Sequence, residues 1–163
     1  MFVSRFAARA TIVFTSSSLL SKVACKRFQS ASSMSSRVSH VSTDLAPAPV
    51  GAYSQAVKNG DTVYLSGALG LDPSTGKLVE GGVGPETTKA LENIQRILEA
   101  SQSSFSSVVK TTVLLADIKD GPTVNEIYKQ FFVPPYPARA MFQVANLPLG
   151  AKVEIEAVAA VNK

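Results

Sequence analysis

The sequence holds one cysteine, one histidine and no tryptophan in 163 residues. The cysteine is Cys25, so everything after it lacks a thiol. That excludes a disulfide, a thiolate nucleophile and cysteine metal ligation from the remainder of the chain. His40 alone cannot build a metal site of usual spacing, and a single imidazole there reads as surface or strand-edge decoration rather than a general base. Long apolar runs are missing too. The best candidate, residues 10–20, is short and broken by Thr15, Ser16, Ser17 and Ser18, which excludes a spanning helix and predicts a soluble protein with no membrane partner. Any chemistry must come from Arg, Lys, Glu, Asp, Tyr, Ser and backbone groups.

Acidic residues are absent before Asp44. The net charge of +4 therefore belongs to the N-terminal segment, where residues 1–43 carry Arg5, Arg9, Lys22, Lys26, Arg27 and Arg37. Residues 44–163 hold ten basic and twelve acidic residues, a balance of −2. A slightly acidic domain lacks the electrostatic footprint of a nucleic-acid binder, so nucleic acid is not an expected partner. Residues 1–36 are rich in Ser, Ala and Arg. As a helix they would line Phe6, Ala10, Val13 and Phe14 along one side, flanked by Arg5 and Arg9, which is the pattern of a mitochondrial transit peptide. Lys26-Arg27-Phe28-Gln29-Ser30 is the expected processing region. The organisation predicted is a leader over 1–36 and one domain over 37–163, destined for the matrix. Translation from Met34 would leave a leaderless product in the cytosol.

What is present reads as alternating sheet and helix. Asn59-Gly60 signals a hairpin between a strand at 52–58 and another at 62–66. Asp72-Pro73-Ser74-Thr75-Gly76 is a second turn. Pro85 and Glu86 open a helix whose Ala90, Leu91, Ile94, Ile97 and Leu98 recur at helical spacing. A β-rich stretch at 108–116 follows. Pro122 begins a second helix with Val124, Ile127, Tyr128 and Phe131 on its buried stripe, ended by Pro134, Pro135 and Pro137. Two closing strands are expected at 140–144 and 152–161. This order predicts an α+β fold, both helices on one face of a mixed sheet. Segments 113–115 and 158–160 look apolar on both faces, so the second face calls for neighbouring copies.

Two segments stand out chemically. In Tyr136-Pro137-Ala138-Arg139-Ala140, prolines stiffen the approach to a strand and present Arg139 from a nearly fixed backbone. Its guanidinium fork matches a carboxylate. Glu154 and Glu156 alternate with Val153, Ile155 and Ala157, so both carboxylates point to one face, where either could act on a water. Strand periodicity does not separate them. Ser66-Gly67 ends a strand where a hydroxyl and an open backbone N–H could meet an anion. Tyr53 could close a pocket, and Asn125 could tether a loop. Gly81, Gly82 and Gly84 lack the remainder of a phosphate-binding loop.

Taken together these segments resemble the RidA family (reactive intermediate deaminase A, or YjgF-like). The matching stretches are Pro49-Val50-Gly51-Ala52-Tyr53-Ser54-Gln55-Ala56, Tyr64-Leu65-Ser66-Gly67, Val109-Lys110-Thr111-Thr112-Val113, Thr123-Val124-Asn125-Glu126-Ile127-Tyr128, Tyr136-Pro137-Ala138-Arg139 and Val153-Glu154-Ile155-Glu156-Ala157. The resemblance implies a chorismate-mutase-like fold assembled as a homotrimer with clefts between subunits. It implies hydrolysis of 2-iminobutanoate and 2-iminopropanoate, intermediates of pyridoxal-phosphate enzymes, to 2-oxo acids and ammonia, with no cofactor and no metal. Arg139 would grip the substrate carboxylate and Glu154 would position the attacking water. Tyr53, Ser66, Gly67, Asn125 and Met141 would line the pocket, Met141 standing where some members carry Cys. Two rival readings are an RNA-cleaving inhibitor of translation and a chaperone-like binding protein. The first would want a basic groove, and the second would be indifferent to Arg139.

Overall fold

The computed structural model describes residues 38–163. The predicted leader over residues 1–36 lies outside the described residues. Eight main elements follow in order: β1 Val38–Val41, β2 Ala56–Asn59, β3 Thr62–Leu69, α1 Val83–Ala100, β4 Val108–Leu115, α2 Gly121–Phe131, β5 Ala138–Gln143 and β6 Val153–Ala160. The six strands form one mixed sheet in the order β1-β2-β3-β6-β4-β5. The closing strands are not neighbours, because β4 lies between them. Helix α2 carries the chain from β4 to β5, so these two pair in parallel while β6 runs antiparallel to both β3 and β4.

Both helices cover the same face. Ala90, Leu91, Ile94, Ile97 and Leu98 of α1 and Val124 and Tyr128 of α2 join Val63, Leu65, Val113, Leu115, Val153, Ile155 and Ala157 in one buried core. Strand alternation then sends Tyr64, Glu154, Glu156, Val158 and Phe142 to the other face. Tyr64 and Phe142 keep 51% and 47% of their surface exposed there, so the apolar character of that face is not used up within one chain. Among the described residues no helix is long and apolar enough to cross a membrane.

Several boundaries depart from the sequence reading. Ser66-Gly67, expected to end a strand at 66, lie inside β3, which pairs with β6 as far as Leu69, and β5 starts at Ala138 rather than 140 because it pairs with β4 from Lys110 onward. The strand expected at 52–58 begins only at Ala56, because the buried Gln55 side chain is bound to a loop instead of a ladder. Its Nε2 donates to the carbonyls of Thr43 (3.0 Å), Ala46 (3.2 Å) and Pro47 (2.9 Å), and its Oε1 accepts from the Thr43 N–H (2.7 Å). The hairpin turn sits one residue later than Asn59-Gly60 signals: Asn59 pairs with Thr62, leaving Gly60 at φ +61° as the first of two loop residues. Strand β1, four residues on the sheet edge, has no periodic signal long enough to read.

Candidate active site

The site begins with an irregularity in β3. Pairing with β6 runs regularly to Leu65, then slips before Ala68, so Ser66 and Gly67 form a bulge opposite Glu156, while Glu154 pairs with Leu69 just beyond it. Glu154 leans over the gap. A Cβ at Gly67 would stand 1.8 Å from Glu154 Oε1, so the carboxylate occupies the space that only glycine leaves free. Ser66 anchors the approach: its hydroxyl donates to the Ser54 carbonyl at 2.7 Å and its N–H to the Gln55 carbonyl at 3.1 Å. Ser66 thus spends its donors on the loop that carries Tyr53, rather than aiming them at an anion. Tyr53 stands at the rim, its hydroxyl accepting from the Val50 N–H at 3.3 Å. The solitary His40 is exposed on the edge strand β1 and meets the Ser54 hydroxyl at 2.9 Å.

Tyr53, Ser66, Gly67 and Glu154 line a pocket of about 330 Å³ whose other walls are mostly apolar, among them Val50, Leu69, Ile97 and Leu149. Burial in that wall, reinforced by the nearby Glu156 carboxylate, pushes the Glu154 carboxyl above the ordinary glutamate value. A glutamate so placed is a stronger base than usual and holds its proton more readily once it has taken one. Two residues that shape the pocket were not singled out from the sequence. Asn93 interrupts the apolar stripe of α1 and is buried, its Nδ2 donating to the carbonyls of Leu69 (3.1 Å) and Leu71 (2.9 Å) where β3 ends. A polar residue among positions 90, 94 and 97 was the available signal. Gln55 is the other, a buried amide that shapes the loop before Tyr53.

Arg139 lies elsewhere. It is the second residue of β5, in register with Thr111 of β4, and alternation turns it toward the helix-covered face. A second pocket, about 620 Å³, is lined by Arg139, Asn125, Tyr128, Tyr136 and Pro137. The guanidinium rests over the Tyr128 ring, Cζ 4.7 Å from its centroid. The proline framing read from the sequence is there, since Tyr136 and Pro137 form the wall beside it. Met141 lines neither pocket. Its side chain packs on the core, with Sδ 3.4 Å from where a Cβ at Gly121 would stand. The residues singled out from the sequence therefore form two groups in separate pockets, Tyr53, Ser66, Gly67 and Glu154 in one and Arg139 and Asn125 in the other, with Glu154 and Arg139 alternating to opposite faces of the sheet.

The comparisons with known proteins agree with this architecture. The family described as endoribonuclease L-PSP matches residues 43–161. The chain is 58% identical over 119 residues to the human 2-iminobutanoate/2-iminopropanoate deaminase, covering 73% of this chain and 87% of that one. It is 55% identical over 130 residues to the chloroplastic Reactive Intermediate Deaminase A of Arabidopsis thaliana, covering 80% and 68%. The crystal structure of RidA from an Antarctic Psychrobacter superimposes with a TM-score of 0.74 at 48% identity, over 76% of this chain and 99% of that one. With the two-helix mixed sheet and the L-PSP match spanning nearly all of the described domain, the chain belongs to the endoribonuclease L-PSP family, the RidA or YjgF-like family.

Proposed function

We infer that this protein is a 2-iminobutanoate/2-iminopropanoate deaminase, hydrolysing reactive imine and enamine acids to 2-oxo acids and ammonia. The observation that carries the reading is the combination, in a 58% identical relative of a deaminase, of a half-buried glutamate with a raised pKa and an arginine free of any carboxylate. Among the described residues Arg139 has no salt bridge, while four other cations do. Its fork is available to a substrate carboxylate.

The chemistry needs little more. Arg139 donates to the substrate carboxylate and fixes the imine carbon. Glu154 takes a proton from water as the water oxygen bonds to that carbon and the C=N π bond opens onto a protonated nitrogen. The carbinolamine then collapses: Glu154 hands its proton to the nitrogen, the C–N bond breaks, the C=O bond forms, and the hydroxyl proton passes back to Glu154 as ammonia leaves. Water is consumed and no electrons are exchanged. Tyr53 closes the pocket mouth, the Ser66-Gly67 bulge and Asn125 line the cleft, and at Met141 the backbone supplies the contact. Orientation and one activated water account for the rate.

In this reading the assembly is a homotrimer in which Arg139 of one subunit completes the Glu154 pocket of the next. Support comes from Glu154 and Arg139 alternating to opposite sheet faces and from Tyr64 and Phe142 left exposed. We place the protein in the mitochondrial matrix on the composition of residues 1–36, with a cytosolic form from Met34; a chloroplastic relative shows that organellar members exist.

The test adds the purified protein to a threonine dehydratase reaction and follows 2-oxobutanoate and ammonia release. Faster release that disappears with Arg139→Ala supports the reading. Unchanged release from a folded protein overturns it and brings forward RNA cleavage, which the balance of −2 over residues 44–163 disfavours, or a binding role.

A further inference from the structure

The geometry points to Tyr128 as the positioning residue for Arg139, a fixed aromatic platform that sets the direction in which the guanidinium meets its ligand. The inference rests on the carboxylate-holding role proposed above for Arg139. An arginine on an exposed edge strand, with no carboxylate of its own, samples many rotamers unless something restrains it. Its guanidinium rests on the Tyr128 ring, whose centroid lies 4.7 Å from Cζ and well inside cation–π range.

The platform is itself immobilised. Tyr128 is 4% exposed. Its hydroxyl shares a buried hydrogen bond of 2.8 Å with the Thr111 hydroxyl. Its ring stacks on Phe132 at 4.1 Å and 16°, and Phe132 is held edge-on by Phe105 at 4.8 Å. Thr111 is also the cross-strand partner of Arg139. One pair across β4 and β5 therefore supplies both the hydroxyl that orients the ring and the cation that lies on it. Burial pushes the Tyr128 phenol above its ordinary value, against weaker opposing effects from Thr111 and Arg139. The ring thus meets the guanidinium as a neutral π face and leaves its charge for the ligand.

The experiment compares Tyr128→Phe, Tyr128→Met, Arg139→Ala and the Tyr128→Met/Arg139→Ala pair in the imine hydrolysis assay. Tyr128→Phe keeps the π face and is expected to keep KM close to wild type. Tyr128→Met keeps apolar volume without a ring, and KM should rise between about three-fold and about thirty-fold with kcat little changed. On the Arg139→Ala background the same change should cost nothing further. An unchanged KM in folded Tyr128→Met, or an equal loss with and without Arg139, overturns the inference. Full activity in Arg139→Ala overturns instead the carboxylate reading beneath it. A readout that needs no folded variant is the NMR shift of the Arg139 δ-methylene protons in the wild-type protein. Ring current should move them upfield, and ordinary arginine shifts would refute the platform.

Discussion

Substituting Gly67 by alanine separates the stability of this fold from the geometry of its site. The new Cβ would lie 1.8 Å from Glu154 Oε1, 2.7 Å from Cδ and 3.0 Å from Cγ. Bringing Oε1 out to 3.0 Å, the nearest approach real Cβ atoms make, displaces it by about 1.2 Å. The atoms that must move are the end of a flexible side chain, so the fold can adapt. A forced χ rotation costs about 0.5–1.5 kcal/mol. Gly67 is not among the glycines with left-handed φ, so alanine also gains ~0.4–1 kcal/mol by restricting the unfolded chain. The two effects nearly cancel, and thermal unfolding followed by circular dichroism should change little. Activity should not be spared. A displacement of about 1 Å at a reacting group costs on the order of 100-fold, read as kcat/KM with enzymatically generated 2-iminobutanoate. Gly67→Ala added to Glu154→Gln should bring no further loss, because both act on one group. A folded Gly67→Ala protein with kcat/KM within about three-fold of wild type would refute the reasoning.

The raised pKa of Glu154 gives a signed pH effect. A carboxyl whose native pKa lies above its unfolded value favours the native state at low pH, and that advantage is lost as pH rises through the native pKa. Glu154→Gln should therefore raise the melting temperature at pH 7 and not at pH 4, and Glu156→Gln should move the acid limb of the pH–rate profile downward. Gln55→Leu leaves the half-buried Thr43 N–H and three carbonyls without their partner and should destabilise the protein by about 2–4 kcal/mol in urea unfolding. Phe142→Glu places a charge on the uncovered sheet face, and sedimentation should show smaller species with loss of activity. A trimer that stays intact and active would remove that face from the interface.

The division of the site between two faces has a simple origin. Arg139 is in register with Thr111, a core-facing residue of β4, whereas Glu154 alternates with core-facing Val153 and Ile155. Odd and even positions on one sheet cannot meet through it. A catalytic pair drawn from both faces needs either a chain that wraps around the edge or a second copy, and the proposed trimer is the second solution.

Much of this was readable from residue order. Helical spacing placed the stripes of α1 and α2 on the core, because burying an apolar face is a local pattern with a period of 3.6 residues. Proline framing marked Arg139, and period-two alternation put Glu154 and Glu156 on one face. That alternation could not choose between them. The choice rests on the β3 bulge, where a pairing slip between strands far apart in sequence opens the space beside Gly67 for Glu154 alone. The same holds for Gln55, Asn93 and Tyr128. Each is fixed by partners between 8 and 24 residues away, and the local sequence does not reveal which polar groups folding will bring within hydrogen-bond reach. Residue types and their periods thus determined the layers and the inventory of chemistry. Strand order, register slips and buried polar partners, which are long-range matters of packing, decided where that chemistry stands.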